Sequence, residues 1–201
     1  MLFKNFCRGA LALGAVMMTQ AVVLNFAKAD GPTPSDAGGW IADPSIVGEL
    51  QPAQQFGKFS VQVPAGFVEQ KPSVKTTAGG TETMYKFDGP KRPDHTYAVL
   101  LIYVMTPSGD SKVSDVNLTN PTPQWVQGIH FWGQSSGTVN GLPAVHQLWQ
   151  YRLNGQKPVR TGTEYTANDG TSTVTVAGID YILHVNDSLP LFTASALSLH
   201  E

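Results

Sequence analysis

The sequence predicts an α+β domain: a central, mainly antiparallel β-sheet, helices on at least one side of it, and a helix at the C-terminus packed on the sheet. Three observations carry this. Asn140-Gly141, Asn154-Gly155 and Asn168-Asp169-Gly170 each separate apolar segments of strand length, and such pairs favour the tight turns of antiparallel hairpins. Residues 97–105, Tyr-Ala-Val-Leu-Leu-Ile-Tyr-Val-Met, carry neither charge nor alternation, the pattern of a central strand dry on both faces. After Asp187 and Ser188, two candidate caps, Pro190 fits a first helical turn, and Leu191, Phe192, Ser195 and Leu199 suit a helix lying on the sheet.

Taken in order, the chain opens with an export signal. Lys4 and Arg8 form a short basic leader, residues 9–26 are almost wholly apolar or small, and Ala27-Lys28-Ala29 offers the small residues of a cleavage site before Asp30-Gly31-Pro32. Cleavage is expected after Ala29, which divides the chain into a signal peptide (1–29), a flexible lead-in (30–56) and one domain (57–201), exported to a periplasmic or extracellular space. Within the lead-in, residues 44–50 suggest one helical turn. Residues 58–64 alternate with Phe59, Val61 and Val63 on one face, a half-buried strand, and residues 81–87 form a second between Gly79-Gly80 and Gly89-Pro90.

Residues 106–123 read as a polar loop, and residues 125–132 fit a short helix better than a strand. Residues 142–153, 159–167 and 172–185 then read as successive strands of a meander folded at the three turns.

Composition narrows the function classes. The one cysteine, Cys7, lies in the leader, so the segment after Ala29 has no disulfide, no thiolate metal site and no Cys nucleophile. Without Lys4, Arg8 and Lys28 the charge is 10 basic against 15 acidic residues, about −5, and the one basic cluster is Lys91-Arg92. Nucleic acid is therefore not an expected partner. No second apolar run is long enough to span a bilayer, so no membrane insertion is expected after cleavage.

The order of elements resembles the PsbP-like family, named for an extrinsic subunit of the photosynthetic oxygen-evolving complex and including many uncharacterised exported bacterial domains. The matching stretches are Phe59-Ser60-Val61-Gln62-Val63-Pro64-Ala65-Gly66-Phe67, Tyr85-Lys86-Phe87-Asp88-Gly89-Pro90, the apolar strand at 97–105, Asn140-Gly141-Leu142-Pro143-Ala144 with its meander, and Ala196-Leu197-Ser198-Leu199 near the end. The resemblance implies a single α/β/α sandwich used for docking to larger assemblies rather than for catalysis. No residue of a family site maps onto this chain, and the long N-terminal docking region of the photosynthetic subunits is not identifiable in it.

The candidate chemistry is thin. Gly133-Gln134-Ser135-Ser136-Gly137 matches the G-x-S-x-G hydrolase elbow, but Thr138-Val139 and a turn follow where a helix is required, so a loop is the expectation there. Ser135 with His146 is the weak catalytic alternative. The five histidines are at least 16 residues apart and give no metal-binding face, so neither metal nor cofactor is expected; His146 and His184 read as strand histidines. Glu164 and Asp180, beside Arg152 and Arg160, read as surface ion pairs rather than a glycosidase pair. Asp110 and Asp115 lack the spacing of a calcium loop. Trp125, Trp132 and Trp149, with Tyr151, are the main aromatic concentration and the candidate ligand- or partner-binding residues.

The expectation is thus an exported non-catalytic domain that binds a protein or cell-envelope component through a sheet face or the Trp-bearing segment. A small-ligand carrier with a Trp-lined pocket is the alternative, and a serine hydrolase a weaker one. Partner identity and oligomeric state are left open by the sequence.

Overall fold

Asp43 sets the turn that opens helix α1 (Pro44–Val47): its carboxylate accepts from the Ser45 N–H at 2.9 Å, and Pro44 occupies the first position of the helix, where its missing N–H costs nothing. The computed structural model describes residues 40–109, 129–151 and 160–201, the backbone alone for 129–132, and all belong to one unit running from Pro32 to Glu201. Strands β1 (Gln54–Phe56) and β2 (Phe59–Val61) form a separate two-stranded hairpin whose turn uses the positive φ of Gly57, +63°.

The main sheet comprises β3 (Val68–Glu69), β4 (Ser73–Thr77), β5 (Gly80–Asp88), β6 (Val99–Pro107), β7 (Ile129–Val139), β8 (Leu142–Tyr151), β9 (Arg160–Asn168) and β10 (Thr173–Tyr181), followed by helix α2 (Val185–Leu197). Its order is β3-β5-β6-β10-β9-β8-β7, with β4 also paired to β5, and every pairing is antiparallel. The meander expected from the Asn/Asp-Gly turns is β8-β9-β10, and β7 extends it by one strand. Asn140 and Gly141 both take positive φ, +47° and +86°, as a two-residue hairpin turn requires, and Gly170 does so at +88°. Asn154-Gly155 lies outside the described residues.

One face of the sheet carries the core. Leu100, Ile102 and Val104 of β6, Val174 and Val176 of β10, and Tyr165 and Ala167 of β9 pack with Phe192, Ala196 and Leu197 of α2 and with Phe56, Phe59 and Val61 of the small hairpin. Gly178 on β10 is bare because the Phe192 ring lies on it; a Cβ there would overlap the ring. The C-terminus is stitched to β2, with Ser60 and His200 exchanging backbone bonds at 2.8 and 3.0 Å and the Ser195 hydroxyl donating to the Gln62 carbonyl at 2.6 Å. Asn140 donates to the carbonyls of Leu197 and Leu199 at 3.1 and 2.8 Å, closing the helix end. The molecule is an α+β sandwich on a mainly antiparallel sheet with its C-terminal helix packed against it.

Several local expectations are corrected. Residues 129–132 are extended in β7, not helical: β-branched and aromatic residues gain a ladder with β8 that an isolated amphipathic turn could not supply. Residues 133–137, expected as a loop, continue that strand. Strand β6 is central, but it is fully dry on one face only; Leu101, Tyr103 and Met105 are half-buried on the other. In α2 neither Asp187 nor Ser188 is the cap: His184 takes the cap position without a side-chain capping bond, and Pro190 lies inside the helix, where the carbonyl left without its N–H partner belongs to exposed Asn186 and can be met by water. The stretch read as a lead-in contributes Trp40 and Phe56 to the core, and the Trp40 N–H donates to the Thr138 carbonyl at 3.1 Å.

Candidate functional site

Pairing of β7 with β8 sets Ser135 directly across from His146. Ser135 is exposed on the edge strand, whereas His146 is 8% exposed, its ring stacked on Tyr165 with centroids 4.3 Å apart and met edge-on by Trp40 at 6.3 Å. Its Nε2 is engaged by the Thr163 hydroxyl at 2.9 Å. Burial pushes the imidazole down to about 4, so it is neutral near pH 7. A serine nucleophile also needs a strained elbow and a base held by a third group. Here the serine lies on an extended strand, the base's Nε2 is bonded elsewhere, and burial is the cause of the histidine's shift, with no carboxylate acting on it.

The Trp residues fall into different situations. Trp125 lies outside the described residues, and so does the side chain of Trp132, whose backbone occupies the irregularity between Phe131 and Gly133 in β7. Trp149 is buried on the sheet face opposite His146, its indole lying on Gly162, where a Cβ would overlap the ring. Its Nε1 is buried with no hydrogen-bond partner. The backbone therefore brings Trp132 and Trp149 to neighbouring strands.

The strongest polar constellation was not foreseen from the sequence. Arg92 donates to both oxygens of Asp180, at 2.8 and 2.6 Å, while the Ser188 hydroxyl and the Tyr181 N–H add bonds at 2.6 and 2.7 Å. The Asp180 side chain is wholly buried, and its hydrogen bond holds the Arg92 guanidinium above its ordinary range. Arg92 and Asp180 are 88 residues apart, so spacing gave no signal; the only hint was an acid ending an apolar strand. Beside them Asp94, bonded by His184 at 2.7 Å and by Thr96, is held far below the usual carboxylate range, and His184 sits at the helix start rather than in a strand. Lys58 pairs with Asp169; burial opposes ionisation of that carboxyl, but Lys58 and the amides of Thr171 and Ser172 outweigh it and lower its pKa.

Glu164 and Asp180 do not lie on the surface. Both are buried, and the register places them on opposite faces, Glu164 across from Ala177 and Asp180 across from Thr161, which also rules out a facing carboxylate pair. On the Glu164 face, burial together with Glu82 and Glu164 pushes the Tyr103 phenol up to about 12. Among the described residues no group of three or more His, Cys, Asp or Glu could hold a metal, and no helix is long and apolar enough to cross a membrane.

Among the described residues, both edges of the sheet carry exposed stretches. All five residues of β4 are exposed, and Val68 and Val74, each 64% exposed, stand on that side. At the other edge residues 133–136 of β7 are exposed.

No family model and no curated protein matches this chain. Solved structures do. Cyanobacterial PsbP (CyanoP) from Synechocystis sp. PCC 6803 superposes with a TM-score of 0.55 at 15% identity, covering 85% of this chain and 99% of that one. LpqN, involved in cell envelope biogenesis of Mycobacterium tuberculosis, gives a TM-score of 0.50 at 14% identity over 75% of this chain and 90% of that one. The chain has a PsbP-like fold.

Proposed function

We propose that this PsbP-like domain is an exported, non-catalytic module that binds a protein or cell-envelope component, made with a signal peptide cut after Ala29. The observation that carries it is the employment of the groups chemistry would need. Asp180, Asp169, His146 and His184 are each bonded to structural partners, and the serine of the G-x-S-x-G match lies on an extended strand. What stays open is surface, with the apolar side chains of Val68 and Val74 turned to solvent, the material of docking through side-chain contact. The direction agrees with a solved neighbour of the same fold, LpqN, which is described as acting in cell envelope biogenesis.

Two measurements test this. The exported protein should begin at Asp30 by mass spectrometry, and a photoreactive side chain at Val74 should cross-link a discrete envelope component. Labelling of Ser135 by a fluorophosphonate, or a hydrolase activity lost in Ser135→Ala, would overturn the reading. The carrier alternative has one observation behind it, the partnerless Nε1 of Trp149. In that case an apolar ligand should quench tryptophan fluorescence in the wild type and not in Trp149→Phe.

A further inference from the structure

The five residues of the G-x-S-x-G match have no catalytic employment, yet they occupy a distinctive place. Among the described residues no strand pairs with the outer side of this stretch of β7, which is bounded on one side by the irregularity between Phe131 and Gly133 and on the other by Thr138, whose carbonyl is taken by the Trp40 N–H. Between these stops, residues 133–136 are exposed, and a Cβ built on Gly133 would meet nothing within 4 Å. A free edge is a template for another strand, and proteins guard such edges with charge, proline or bulges. Across residues 129–139 there is no Asp, Glu, Lys, Arg or Pro. The opposite edge is guarded: Glu69, Lys71, Pro72 and Lys75 lie on or between β3 and β4.

We propose that residues 133–137 pair antiparallel with the same residues of a second copy, about a two-fold axis near Ser135, joining two sheets into one. The asymmetry between the edges selects this occupant. Head-to-tail pairing would bring β7 against the guarded β4 edge and grow without closing, whereas β7 against β7 closes after two copies. Self-pairing also requires that a strand tolerate its own charges directly opposite, and an uncharged Gly-Gln-Ser-Ser-Gly stretch meets that condition. Its glycines and serines leave the backbones free to approach to ladder distance. This contact is separate from the partner docking proposed above and stands or falls independently of it.

The test uses the full chain with Cys7→Ser, so that an introduced cysteine is the only thiol. Sedimentation should show a reversible dimer. Ser135→Lys places two like charges across the axis and should raise the dimer dissociation constant by about tenfold or more, with an unchanged circular dichroism spectrum and melting temperature. Ser135→Cys should form an intermolecular disulfide on mild oxidation, and Lys75→Cys on the other edge should not. A chain that sediments as a monomer at all concentrations, a dimer indifferent to Ser135→Lys, or equal cross-linking from position 75 would overturn the proposal.

Discussion

His146 is a buried base whose neutrality has a thermodynamic consequence. Folding lowers its pKa from 6.5 to about 4, so between those values the unfolded chain binds a proton that the folded one refuses. Its contribution is complete above pH 6.5, declines as pH falls below that, and is exhausted near pH 4, a loss of up to about 3 kcal/mol. Urea denaturation from pH 7 to 4 should show this slope, and His146→Gln should flatten it. Arg92 shows the reverse case of a charge that cannot be spared. Because the Asp180 side chain is wholly buried, Arg92→Ala should strand its carboxylate and cost about 3 kcal/mol, while replacing both residues with apolar side chains of similar size should recover most of that loss in a thermal melt. Neither role was visible beforehand: a histidine on a strand and an acid at a strand's end look alike whether they end up wet or dry, because burial is decided by segments distant in sequence.

The elements divide by how local their determinants are. The turn at Asn140-Gly141 was legible because both positions need positive φ and the chain supplies the two residue types that accept it most readily. Strand β6 was legible as central from its unbroken apolar run, but not in its two faces, since a run without alternation conceals which side the helix will cover. The first residues of β7 were misread because five apolar side chains in eight positions fit a helix as well as a strand, and only the ladder with β8 decides. Between α2 and β10 the fit is steric: Gly178→Ala should cost about 2–3 kcal/mol by driving Phe192 off the sheet, read as a lowered urea midpoint with unchanged slope.

At the scale of the molecule, the fold reaches further upstream than hydrophobic patterning indicated. Trp40, 6% exposed, packs edge-on to both His146 and Tyr165 and anchors residues 40–50 to the body. Trp40→Ala should therefore destabilise by about 3–5 kcal/mol and raise protease sensitivity in that segment. A lone tryptophan amid Gly, Pro, Ser and Asp gives no periodicity to read, which is why the sheet was legible and its strap was not. The candidate site was legible only as an absence of strong motifs; the place of β7 at the end of the described sheet emerges from strand order, which no single stretch of sequence encodes. Finally, Phe192 and Trp149 press on bare glycines from opposite sides of the sheet, Gly178 and Gly162, which stand beside each other's neighbours on β10 and β9. Each ring is thereby locked to one position in evolutionary time: in any descendant that acquires a side chain at 178, residue 192 must first shrink, and 162 must change hand in hand with 149. These two couplings would leave a covariation signature by which remote members of the lineage could be told from chance matches.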